Sequence, residues 1–360
     1  MESRIPLASD IKGISSLDLE LAFRYSHYSD FGVSTTPKVA TLYRPVEKLL
    51  LRATFSKGFR APNLGELHKG KQKSYVFLVD PCSLSNSPDK YLGCEVQSDP
   101  TQIQFLTTFA GEPGLKPEEA INNTLGIVWG SVVNGVSASV DYFRIRQQNV
   151  VDANVQYILD QNAKFGSFPD LVQRDDNGNI EQIYAPFINI GRRKINGVDF
   201  GLKWNGIHGL GGKWTWSINA SYLDKFLDQV DPESPKEDIS DTFVDAASAG
   251  NGALPRWKAN SGILFEGKRF RLSYSVKYIS SLHEYVPFTD RRRKISPWLT
   301  HDLQVGYQFP HFGNTVWIFG VDNVFDRPPP LVTSAFNDSY DARSYDISGR
   351  FVYSKFSFRF

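Results

Sequence analysis

From one end of the chain to the other, apolar residues recur at every second position in runs too long for ordinary soluble strands. Leu17, Leu19, Leu21, Phe23 and Tyr25 share one face, and Asp18, Glu20, Arg24 and Ser26 share the other. The same alternation returns in Val136 to Tyr142, Trp214 to Tyr222, Phe270 to Tyr278 and Leu303 to Phe309. Period two places one face of each strand against an apolar medium and the other against polar surroundings. The runs approach the roughly 9 to 11 residues with which a tilted strand crosses a bilayer. No stretch shows a competing helical period.

The connections between these runs alternate in length. Short ones fall at 44–48, 131–135, 205–212, 266–268 and 310–314, and long ones at 59–119, 149–181, 225–255, 283–297 and 327–348. Tight turns at one end and extended loops at the other are the pattern of an outer-membrane barrel. With the C-terminus on the turn side, the last strand runs inward from the loop at 327–348. Parity then makes 182–204 one long descending strand, bulged near Asn196 and Gly197, because splitting it would invert every strand upstream. The count is about thirteen antiparallel strands, an odd number where single-chain bacterial barrels have even ones.

Composition narrows the alternatives. Forty Lys and Arg against thirty-nine Asp and Glu give a net charge of +1, so no global field gathers nucleic acid. Mean hydropathy is −0.32 and no segment nears the roughly 18 apolar residues of a spanning helix. A β-barrel escapes that exclusion, since lumen residues dilute its apolar ones. Aromatic residues make up 14% of the chain, a supply suited to strands and membrane interfaces. The start, MESRIPLASD, has no basic segment followed by an apolar run and a cleavage site.

The last residues, GRFVYSKFSFRF, put Phe356, Phe358 and Phe360 at a spacing of two, an aromatic band for a barrel-closing strand. The alternation slips between Tyr353 and Phe356, which suggests a bulge. Cys82 and Cys94 lie in the polar loop DPCSLSNSPDKYLGC, at a spacing that fits neither a CxxC motif nor a zinc site. A disulfide closing a short loop is the better reading, and it implies an oxidising compartment.

No catalytic constellation and no metal site emerges. His27, His68, His208, His283, His301 and His311 are scattered, without the pairing or acidic neighbours of a metal centre. Asp18 and Glu20 share a face, which a polar lumen stripe explains without catalysis. The long loop 59–119 is the best candidate for ligand contact, with Tyr75, Phe77 and Phe105 either stacking on a ligand or forming the loop's own small core. Arg291, Arg292 and Arg293 fall in another long loop, where they bind lipopolysaccharide phosphates, attract an anionic ligand, or are simply solvated.

Several blocks resemble a known family. The run LLLRATFSKGFRAPNLGEL from Leu49 to Leu67 is similar to the RATxSxGFRAPxxxEL block of TonB-dependent outer-membrane receptors. PGLKPEEAINNTLGI, INIGRRKINGVDFGLKW, GVDNVFDRPPP and the terminal aromatic strand follow collinearly. The resemblance implies an all-β antiparallel transmembrane barrel, here about 13 strands of a 22-strand parent with the plug domain absent. It implies TonB-energised uptake of a scarce or bulky nutrient such as a siderophore, haem, cobalamin or oligosaccharide, in the bacterial outer membrane. Implied partners are outer-membrane lipid and lipopolysaccharide, the barrel-assembly machinery and a small-molecule or oligosaccharide ligand. The TonB complex would act through a missing N-terminal region. Lacking that region, the chain is expected to be either a truncated product or a fragment. The rivals are a passive porin-like channel and a soluble secreted carbohydrate-binding protein or glycosidase.

Overall fold

The computed structural model describes residues 1–29, 31–84, 87–131, 135–209, 211–244, 252–286, 291–310, 315–335 and 338–358. Thirteen strands form one antiparallel sheet in chain order, each paired with its predecessor and successor. They are β1 Glu2–Ile11, β2 Ile14–Tyr28, β3 Gly32–Val46, β4 Leu49–Arg60, β5 Glu118–Ser131, β6 Val136–Asp152 and β7 Ile188–Gly209. The series continues with β8 Gly212–Gln229, β9 Trp257–Gly267, β10 Phe270–Ile279, β11 Trp298–Phe309, β12 Thr315–Asp322 and β13 Phe351–Ser357. A two-residue strand, Glu237–Asp238, is added beside the end of β8. The path has two ends, β1 and β13, which do not pair with one another among the described residues.

The register shows how the alternation is used. Ala53, Leu125, Tyr142, Val198, Tyr222 and Trp257 lie opposite one another in one cross-strand row that crosses the middle of β5 and β7 and reaches the long-loop end at Trp257, the first residue of β9. Phe270, Tyr307, Trp317 and Phe356 form another row near the tight-turn end. Aromatic rings therefore flank an aliphatic band on one face, the arrangement of a membrane-facing wall. This face has no covering layer: Leu125 is 60% and Ile127 53% exposed. A soluble sandwich would bury it against a second sheet, so an apolar surface of this extent requires lipid.

The opposite face is polar and laced with ion pairs. Arg4 pairs with Asp18, Lys38 with Glu20, Arg52 with Asp141, Arg193 with Asp228, and Lys277 with Asp302. Asp18 and Glu20, which share a face in the sequence, are thus two members of this ladder.

β7 is one continuous strand, and the register shifts between Asn196 and Gly197, leaving Asp224 of β8 as the extra residue. Its start differs from expectation. Ile180–Pro186 is not part of the descending strand but pairs in parallel with Gln104–Ala110 in a separate four-stranded loop sheet.

The expected bulge in the last strand does not occur. β13 pairs with β12 without a register shift from Phe351 to Ser357. Ser354 occupies an apolar-face position, and the Trp317 indole N–H donates to its hydroxyl at 2.9 Å. Tyr353 takes the polar face, where its ring lies over Gly320, so close that a Cβ there would stand 2.2 Å from Cζ. The slip is a polar residue on the lipid face, satisfied by a neighbouring indole. Phe358 follows the end of the strand, and Phe360 lies outside the described residues.

Candidate functional site

The long connections are structured, and they build two bodies at one end of the sheet. The first begins at Arg60, the last residue of β4. Its guanidinium donates two hydrogen bonds to Glu118, the first residue of β5, at 2.6 and 2.8 Å, and two more to Glu66 at 3.0 Å. Asn63 caps the short helix Leu64–His68 and Glu66 returns a bond to the cap, a reciprocal box that fixes how the chain leaves the sheet. Glu118 also accepts from the Val151 N–H of β6. The FRAP-to-EL segment is therefore a clasp that holds both ends of loop 61–117.

Beyond the clasp, Gln72–Phe77, Gln104–Ala110, Ile180–Pro186 and Val172–Arg174 form the loop sheet, with the helix Val155–Phe165 packed on it. Phe105, Val155, Ile158, Leu159, Val172, Ile180 and Ile183 make its core. Strands from two different loops share this sheet, so loops 61–117 and 153–187 are one body. Cys82 and Cys94 are joined in a disulfide and pack with Ala163 of the helix.

One ion pair locks the body. Asp80 accepts two bonds from Arg174, at 2.7 and 2.9 Å, and one from the Ser98 hydroxyl at 2.7 Å. Burial pushes the Asp80 carboxyl up, but Arg174, Ser98 and the Cys82 N–H outweigh it and hold it below the usual carboxylate range.

The second body gathers the later loops. Phe243, Ala253, Leu282, Ile295 and Val332 cluster with Trp298 and Tyr345 around the hairpin Leu282–Tyr285 and Arg292–Ile295. Glu284 is fully buried at 0% exposure. It is ion-paired with Arg293 and accepts from the backbone and hydroxyls of Thr333 and Ser334. Burial alone would raise its carboxyl, but these donors hold it low.

The candidate ligand residues separate on this geometry. Tyr75, 67% exposed, and Phe77 present themselves at the loop-sheet edge strand, while Phe105 is 1% exposed inside the core. Phe105 therefore belongs to the loop's own packing, since a ring enclosed by Ile158 and Ile183 has no face left for a ligand. Arg293 is likewise structural, because its charge neutralises the buried Glu284 and its Nη2 donates to the Leu331 carbonyl. Arg291 and Arg292 remain on the hairpin surface. The clasp at Arg60, Glu66 and Glu118 was not predicted as a set, although all three residues lie in the recognised motifs.

An antiparallel wall with a lipid-facing side, a charged side and built loops at one end defines a transmembrane β-barrel of the receptor type. Residues 7–324 match the family model described as TonB dependent receptor-like, beta-barrel, and the chain belongs to that family. Among solved structures it resembles a point mutant of the ferric enterobactin receptor PfeA of Pseudomonas aeruginosa. The identity is 18% and the TM-score 0.62, over 94% of this chain and 42% of that one. The siderophore receptor PirA of Acinetobacter baumannii is 16% identical with a TM-score of 0.62, over 94% and 43%. The ferripyoverdine receptor of Pseudomonas aeruginosa is 13% identical with a TM-score of 0.53, over 90% and 34%. The chain thus spans less than half the length of these receptors. A comparison with curated proteins finds no match.

Proposed function

We propose that the chain serves in an outer-membrane receptor that captures a ferric siderophore at its external loops and passes it inward by TonB-energised transport. The observation that carries this reading is the cored and disulfide-braced loop body clasped to the sheet at Arg60 and Glu118. Passive channels need no such cap, whereas a receptor gains by holding a recognition surface in one shape before the ligand arrives. The names of the similar solved receptors supply the ligand class. Tyr75 and Phe77, with Arg291 and Arg292 on the second body, are the side chains offered to an anionic, aromatic iron chelate.

The test is titration of the detergent-purified protein with ferric catecholate and hydroxamate siderophores, haemin, cobalamin and a maltodextrin, followed by tryptophan quenching. Saturable quenching by a ferric siderophore and not by the others is expected. Quenching only by haemin, cobalamin or sugar would overturn the ligand assignment. Iron uptake that is equal in cells with and without TonB would overturn the energised mechanism.

A further inference from the structure

The loop sheet of the first body ends in two edge strands, Gln72–Phe77 and Val172–Arg174. Val172–Arg174 is three residues long and its Arg174 is committed to Asp80, so that edge is blunt. Gln72–Phe77 is six residues long, has no proline or register shift, and is exposed at every position but Val76. The register fixes where its backbone points. Phe77 opposes Gln104, and the Leu78 N–H donates to the Ile103 carbonyl at 3.2 Å, so Leu78 and Ile103 are a hydrogen-bonded pair. Such pairs alternate along an antiparallel ladder. Gln72, Ser74 and Val76 therefore spend their backbone groups on the strand Gln104–Ala110, while Lys73 and Tyr75 turn theirs outward. No strand of the described residues lies on that side.

Farther along the same outward series, Val79 shows what this edge accepts. Gln156 of the helix Val155–Phe165 takes the Val79 N–H on its Oε1 at 3.0 Å and donates from Nε2 to the Val79 carbonyl at 2.8 Å. One side-chain amide thus stands where a strand residue would, and Asp160 holds it by accepting from the same Nε2 at 2.7 Å. The edge is stopped at Val79 and left open at Lys73 and Tyr75. An open, exposed edge is a template for another strand. The side chains beside it carry a charge pattern. Lys73 opposes Thr108, which opposes Tyr184, and the Lys71 ammonium lies 5.7 Å from the Tyr184 ring, so both lysines and Tyr75 share the face turned away from the core. The ion pairs of the first body use neither lysine.

We propose that the edge at Lys73 and Tyr75 receives an extended, acidic segment of a protein partner, which adds to the loop sheet as a further antiparallel strand. Main-chain hydrogen bonds to Lys73 and Tyr75 supply the affinity, and alternate side chains choose the sequence. The segment carries acids opposite Lys71 and Lys73 and a β-branched or aromatic residue opposite Tyr75. Lysines on an edge discourage uncharged strands, so the sign of the partner's charge is the selector. The ligand is a polypeptide held through backbone, and the inference stands apart from siderophore capture by the exposed rings.

The probe is the blocked, fluorescent peptide Thr-Val-Thr-Glu-Thr-Glu-Thr, which sets its valine opposite Tyr75 and its glutamates opposite Lys73 and Lys71. It is titrated by anisotropy into the full chain in detergent. Saturable binding is expected, with slowed hydrogen exchange across 72–77. The peptide with lysine in place of both glutamates should bind about tenfold more weakly, and K71E/K73E should reverse that preference. N-methylation of the valine and the first glutamate removes the donors aimed at the edge and should cost at least about tenfold. N-methylation of the two threonines that follow these residues, whose N–H groups point away from the edge, should cost far less. Tyr75→Pro deletes an N–H that the loop sheet does not use and should abolish binding with the proteolysis pattern of the body unchanged. If that variant opens the body, K71E/K73E carries the test. Equal loss from the two methylation patterns overturns the proposal, as does equal binding of the acidic and basic peptides by the parent, or no saturable binding up to about 1 mM. Protection of 72–77 that rises with protein concentration in the absence of peptide would assign the edge to a second copy of the chain and overturn the partner named here.

Discussion

Arg52 on β4 and Asp141 on β6 form a two-pronged ion pair, at 2.7 and 2.6 Å, across a strand to which neither belongs. The residue between them on β5 is Gly126, and a Cβ there would stand 1.9 Å from the Asp141 carboxylate. The missing side chain is what lets the pair close over the middle strand. Gly126→Val should therefore break the pair and force both side chains aside, at a cost of about 1–3 kcal/mol. Chaotrope unfolding in detergent reads this as a lower midpoint. The charge swap R52D/D141R, which keeps Gly126 and an opposite-charge pair across it, should retain most of the parent stability.

Asp80 and Arg174 join the two loops of the first body through a pair that is nearly buried on the acid side, at 2% side-chain exposure. Removing one partner of a buried pair leaves the other uncompensated. Arg174→Met should cost the loop body about 3–5 kcal/mol while leaving the sheet intact. Limited proteolysis checks this: new cleavage is expected within 61–117 and 153–187 and none within β1 to β13.

The same carboxylates set a pH limit. Asp80 and Glu284 are both held below their ordinary values of 3.8 and 4.5. A depressed native value contributes stability that is complete above the unfolded value and lost as pH falls through the native one. Both loop bodies should therefore stay closed from neutral pH down to about 5 and loosen only below about 4. Hydrogen exchange at stepped pH measures this, and loosening between 5 and 7 would count against it.

The wall was legible in the sequence because period two is a local signal, and each strand pairs with its chain neighbour. Parity across several strands likewise made β7 one unbroken strand, but the irregularity expected in it near Asn196 and Gly197 lies on the partner strand, where Asp224 of β8 is the extra residue. The loop sheet was hidden, because Gln104–Ala110 and Ile180–Pro186 pair in parallel across a long separation and carry no turn signal linking them. Phe105 shows the matching limit for the site. Its type allows a stacking role or a core role, and only the packing of Ile158, Leu159 and Ile183 around it decides. Ser354 misled in the opposite direction, since the Trp317 indole that satisfies it comes from a different strand.

Cys82 and Cys94 close a loop with a separation of 12 residues, which restrains the unfolded loop by about 3 kcal/mol in the chain-entropy account. Reduction should raise hydrogen exchange in 81–98 and in the helix Val155–Phe165, whose Ala163 packs against the bridge. Exchange in β1 to β13 should not change. A reduced protein with unchanged exchange at the helix would show that the disulfide does not brace this body.

Tyr75 pairs with Leu106 and Val76 with Phe105, so Tyr75 and Phe105 stand on opposite faces of the loop sheet and should respond to substitution in opposite ways. Phe105→Ala empties a core position and should destabilise the loop body by about 3–5 kcal/mol. Tyr75→Ala removes an exposed ring and should leave thermal stability within about 0.5 kcal/mol. If the loop sheet is the capture surface, Tyr75→Ala lowers siderophore affinity at unchanged stability. Phe105→Leu, which refills most of the core, should restore both loop order and affinity. Equal affinity losses in Tyr75→Ala and Phe105→Ala, with equal stability losses, would remove the distinction between recognition and packing on which this assignment depends.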